Sequence, residues 1–165
     1  MGNPFDLKTA LLARHAQHVV LIHFPIALFI AAVAFDLLAQ CTAHATAHSA
    51  GHATGHARKT RALADAAYYN LLAAAISVLP VLATGVLAWQ FQLEGQKLKG
   101  ILLLHLVLAC LSSAVIGVVW WMHFRARRGA GVRPIYRLSL EFLGVTLIAL
   151  SAHLGGFLSG VNSPS

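Results

Sequence analysis

The chain has 165 residues, of which 58% are hydrophobic and only 10% charged, and it carries 12 Lys and Arg against 5 Asp and Glu for a formal net charge of +7. A soluble domain of this size has roughly 25% charged residues, so the composition excludes an ordinary soluble protein and points to a single integral membrane domain. The basic residues stand beside apolar segments, the pattern of topology determinants rather than of a nucleic-acid-binding surface.

A membrane span needs about 20 mostly apolar residues, and four such segments follow one another. The first covers about 18–39 and holds His18, His23 and Pro25. It has full span length and is expected to be a retained helix rather than a signal peptide. A connection over 41–60 follows, in which His44, His48, His52 and His56 recur every four residues among Ala, Gly, Ser and Thr. Such a tract binds divalent metals weakly if it is helical, but its composition reads first as a soft, low-complexity loop. The second span covers about 66–89, with Pro80 inside it, the third about 101–124 and the fourth about 138–158. Each proline removes a backbone donor and is expected to bend its helix. Gly144, Gly155 and Gly156 in the fourth span permit close approach of a helix or a flat ligand. The fold class is therefore all-α, a four-helix transmembrane bundle forming one domain over 1–165.

Eight basic residues, Arg58, Lys59, Arg61, Arg125, Arg127, Arg128, Arg133 and Arg137, fall in or beside the connections between spans 1 and 2 and between spans 3 and 4. Four, Lys8, Arg14, Lys97 and Lys99, fall on the other side. The positive-inside rule then puts the arginine-rich side in the cytoplasm and both termini in the periplasm of a bacterial inner membrane. Cys41 falls at a span end and Cys110 in mid-span, so no disulfide is expected. There is no Cys-x-x-Cys-His, so the chain does not itself attach a c-type haem.

This topology sets His23, His105 and His153 roughly 6–8 Å into the apolar zone from one face, at a rise of 1.5 Å per residue. His18 sits above them at the interface. Ionisable residues at one membrane depth suggest a common ligand. Two neutral imidazoles from facing helices, with an apolar slot between them, suit haem b. The expected axial pair is His23 with His105. His153 and His18 are the alternatives, Gly155 and Gly156 make room for the porphyrin, and Arg14, Lys97 and Lys99 are available to its propionates. A zinc or redox-iron site would recruit carboxylate or cysteine, which this half of the membrane lacks. Two other readings use the same histidines, either as packing glue in a cofactor-free scaffold or as a path for protons or metal ions.

At the other face His123 reads as an interfacial anchor beside Trp120 and Trp121, with Met122 a poor second candidate for a haem ligand. Tyr68 and Tyr69 read as anchors as well. Asp36 is expected to cap a helix or pair with Arg61 or Arg137, or to join a proton path, and Glu141 is similar. Ser77, Ser112 and Ser113 are expected to bond between helices. No nucleophile–base constellation or phosphate loop is present, so a non-catalytic subunit is expected.

The run from His18 and Val19 through His23, Phe24, Pro25, Ile26 and Ala27 resembles the first-helix signature His-Pro-x-x-Val-His-Phe-Pro-Ile-Ala of the domain of unknown function 2231 family. Val19 stands where that family has proline. Phe35-Asp36-Leu37-Leu38, Thr84-Gly85, His105 and His153-Leu154-Gly155-Gly156 are similar to it too, so the likeness spans nearly the whole chain. The resemblance implies a four-helix bacterial membrane protein. Some family members look fused to c-type cytochrome modules, which implies a redox setting. The expected partners are the lipid bilayer, other subunits of a respiratory or photosynthetic complex and a periplasmic c-type cytochrome.

Overall fold

A computed structural model describes residues 14–47, 53–92, 94–95, 97–129 and 136–159 of the protein. Within them lie four α-helices and no strand: α1 Arg14–Ala47, α2 Ala53–Gln92, α3 Gly100–Arg127 and α4 Arg137–Leu158. All four are long and apolar enough to cross a membrane. Large apolar side chains such as Ile76, Leu79, Leu104 and Phe142 point outward. In water these would form adhesive patches, whereas in a bilayer they meet hydrocarbon while the helices satisfy their own backbone.

The first two helices outrun the apolar spans. α1 has 34 residues and α2 has 40, and at 1.5 Å per residue α2 is about 60 Å long, twice the hydrocarbon thickness. Much of the connection expected as a loop over 41–60 is therefore helical, to Ala47 and again from Ala53. Alanine is the strongest helix former, and it recurs there often enough to carry the helices into polar sequence. Both helices run on through Pro25 and Pro80. α3 ends where Gly129 adopts φ +69 and its N–H reaches the carbonyl of Ala126, a left-handed stop that glycine adopts without strain.

The helices run antiparallel in two hairpins, α1 with α2 and α3 with α4; α2 also packs on α3 and α1 on α4, so that α1 and α3 lie diagonally. The core joins Phe29, Ala32 and Val33 to Leu71, Ala74 and Val78, then to Ile116, Val119 and Ile148. The Phe29 ring lies directly on the α4 backbone, since a Cβ built at Gly144 would come within 2.7 Å of it. Glycine there brings α1 and α4 together.

All of this core lies toward the end that carries the arginines. At the opposite end, none of residues 17–24, 79–91, 100–111 and 152–158 is buried. Among the described residues the bundle is sealed in one half and open in the other.

Candidate functional site

Two groups of polar side chains occupy the two halves. On α3 the buried positions are Ser112, Ile116, Val119 and His123, and on α4 they are Arg137, Glu141, Gly144, Ile148 and Ser151. At about 3.6 residues per turn, extending these stripes into the open half reaches His105 on α3 and Gly155 on α4. On α1 the stripe through Pro25, Phe29, Ala32 and Asp36 extends to His18 by the same spacing. His18 and His105 are both half-buried. His23 and His153 fall on the opposite sides of their helices and are exposed.

The two inward histidines have matching surroundings. His105 Nδ1 lies 3.0 Å from the carbonyl oxygen of Ser151. A carbonyl only accepts, so the proton is on Nδ1 and Nε2 is the basic nitrogen. His18 Nδ1 lies 3.1 Å from Thr84 Oγ1. That hydroxyl also lies 2.8 Å from the carbonyl oxygen of Pro80 and 3.1 Å from that of Val81, so Thr84 ties the His18 ring to α2, donating or accepting according to the imidazole tautomer. Each ring also faces a glycine of the neighbouring helix. A Cβ at Gly85 would meet His18 Cε1 at 3.1 Å, and one at Gly155 would meet His105 Cε1 at 3.2 Å. Gly85, singled out in sequence only as part of a family motif, thus has the same role at α1–α2 that Gly155 has at α3–α4.

The remaining histidines stand apart. His23 Nδ1 donates to Val19 O, one turn back on its own helix, at 2.6 Å. His153 packs edge-on against Phe157 with ring centroids 5.0 Å apart. Among the described residues these four histidines form no group of three metal-ligating side chains. In the His-rich tract, His44 and His56 are exposed, while His48 and His52 lie outside the described residues. The side chain of Arg14 is likewise outside them, and Lys97 and Lys99 are exposed between α2 and α3.

At the sealed end an ionic network crosses three helices. Arg137 of α4 pairs through Nη2 with Asp36 Oδ2 of α1, and its Nε lies 3.4 Å from Glu141 Oε1. His123 Nε2 of α3 lies 3.1 Å from the same Glu141 oxygen. Gln40 adds a hydrogen bond to Asp36 Oδ2 at 2.8 Å. Asp36 and Glu141 are each 1% exposed. The pairing of Asp36 with Arg137 is one that the sequence allowed. His123 is not an interfacial anchor, however: it is 4% exposed and faces Glu141. Its place on the stripe of Ser112, Ile116 and Val119 was the signal that depth along the span concealed.

Smaller expectations also change. Ser77, Ser112 and Ser113 bond to carbonyls of their own helices, not between helices. Arg127 pairs with Asp65 and lies over the Tyr68 ring, 4.4 Å from its centroid. Cys41 and Cys110 are free thiols.

A family model described as a predicted membrane protein, DUF2231, matches residues 14–162, and the chain belongs to that family. No curated protein and no solved structure matches it.

Proposed function

We propose that this DUF2231 protein holds one haem b in the open half of its bundle, with His18 and His105 as axial ligands, and serves as an electron-transfer subunit of a larger redox complex. The observation that supports this most is the placement of the two inward histidines, each held through Nδ1 by a neighbouring helix and each faced by a glycine of that helix. A ligating histidine offers one nitrogen to the metal while the other donates to a carbonyl, carboxylate or hydroxyl that fixes the ring. His105 Nδ1 donates to Ser151 O, which leaves its Nε2 for a ligand, and His18 Nδ1 is held by Thr84 Oγ1. The donor set is two neutral imidazoles from diagonal helices, the set that suits haem b in a four-helix bundle.

Bound haem supplies reversible one-electron chemistry. The chain holds each imidazole in one orientation, and the glycines at Gly85 and Gly155 let each ring sink against the neighbouring backbone. Lys97 and Lys99, exposed at the same end, suit pairing with propionates. His23 and His153, the other candidates from sequence, lie on outward faces that fit contact with lipid or a partner subunit. The distribution of Lys and Arg favours a periplasmic position for the haem end, within reach of a c-type cytochrome, and a cytoplasmic one for the arginine end.

One observation favours a second reading. The bonds from His18 to α2 and from His105 to α4 also staple each hairpin, so a cofactor-free scaffold would use the same contacts. A reduced-minus-oxidised visible spectrum of the purified chain, with a pyridine haemochrome assay, separates the two. The haem reading gives a Soret shift and a haem b product near one per chain. A colourless protein without iron overturns the haem reading and makes the scaffold the leading one.

A further inference from the structure

We propose that Asp36, His123 and Glu141 form a binding site for one borderline divalent cation, Zn²⁺ foremost, in the sealed half of the bundle. This site is separate from the histidine end and does not depend on the haem reading.

Three helices bring one ligand each to a common point, and the ligand atoms all lie within 4.8 Å of one another. All three residues are buried. Donors around a tetrahedral ion at about 2.1 Å are about 3.4 Å apart, so the widest gap closes by about 1.4 Å through side-chain rotation. One imidazole with two carboxylates is a donor set that zinc accepts.

The pattern of hydrogen bonding within the network favours an ion. Arg137 and Gln40 both hold Asp36 by Oδ2, Arg137 Nε lies 3.4 Å from Glu141 Oε1, and His123 Nε2–H donates to that same oxygen, a proton released to solvent when a cation takes its place. Asp36 Oδ1 and Glu141 Oε2 are buried with no hydrogen-bond partner, as are Nε and Nη1 of Arg137 in the same network. Unpaired carboxylate oxygens away from water are costly. Outer partners that fix one oxygen and leave the other for a metal are what ligating carboxylates ordinarily have. Arg137 then orients the two acids rather than merely neutralising them.

The charge count agrees. Two carboxylates and one guanidinium leave one negative charge when His123 is neutral. A divalent cation therefore enters a site of net negative charge. A cavity of about 650 Å³ at the arginine end has His123 among its lining residues, with Gln40, Asp65, Tyr68 and Arg127, so the imidazole lies between the buried carboxylates and that cavity.

The test uses the full chain, purified without a histidine tag, with His44, His48, His52 and His56 changed to Gln so that the tract contributes nothing. After chelation it is dialysed against Zn²⁺ and analysed for metal. The expected result is one Zn²⁺ per chain, retained in His105→Ala and weakened more than about 100-fold in Asp36→Asn and Glu141→Gln, beyond the usual effect of an outer-shell change. Should those variants fail to fold, Co²⁺ added to the tract-substituted parent decides the matter by its absorption. Intense tetrahedral bands support the site, and only weak octahedral bands overturn it. Absence of stoichiometric Zn²⁺ overturns it too, as does equal binding by folded Asp36→Asn and Glu141→Gln.

Discussion

At the arginine end polar groups lie behind apolar packing, with Asp36, His123, Arg137 and Glu141 joined across three helices and almost wholly shielded. At the histidine end the two inward imidazoles are half-buried, each against one glycine of its hairpin partner, and none of the described residues there is buried. One chain thus spends its tight packing on one half and leaves the described residues of the other half without a buried core. A buried ion network is often no more stabilising than apolar packing, so its presence in the sealed half suits specifying how the helices meet. The open half gives up core area, which is understandable where its inward faces serve a ligand.

The sharpest way to break this comparison is at the inward histidines. His105→Ala and His18→Ala are each expected to abolish haem in protein that still reaches the membrane, while His23→Ala and His153→Ala keep near-wild-type haem by pyridine haemochrome. Loss in the second pair with retention in the first would reverse the assignment of faces. At the sealed end, Arg137→Met leaves two buried carboxylates without their cation. Its expected cost is about 3–5 kcal/mol, read as a large drop in thermal stability in detergent with little change in the haem spectrum of the surviving fold.

Packing variants come next. Gly144→Val sets side-chain atoms into the Phe29 ring and is expected to cost about 1–3 kcal/mol, again by thermal unfolding. Gly85→Ala and Gly155→Ala add a Cβ at 3.1 and 3.2 Å from the imidazoles. Their effect on stability is expected below that of Gly144→Val, but they tilt the rings and so shift the haem potential in a redox titration. The smallest effect belongs to Asp65→Asn, which removes the half-exposed partner of Arg127. It is expected to cost no more than about 1 kcal/mol and to vanish in high salt.

The four spans were legible because length and apolarity are one-dimensional properties. The first-helix motif was legible for the same reason, and it led to the family. Helix ends were not, because Ala-rich sequence around His44 and His56 continues a helix after the apolar signal stops. Depth along the membrane grouped His23, His105 and His153, but it says nothing of which side of a helix a residue occupies. That requires the buried stripe, visible only once Phe29, Ile116 and Ile148 are known to be core. The same stripe puts His18 and His105 inward, turns His23 and His153 outward and gives His123 its place beside Glu141.

The most direct test of the central claim is the low-temperature EPR spectrum of the oxidised purified protein. Two imidazoles on one haem predict a low-spin ferric signal that disappears in His105→Ala. A high-spin signal, a signal unchanged by His105→Ala, or no haem signal at all would contradict the assignment of His18 and His105 as the axial pair.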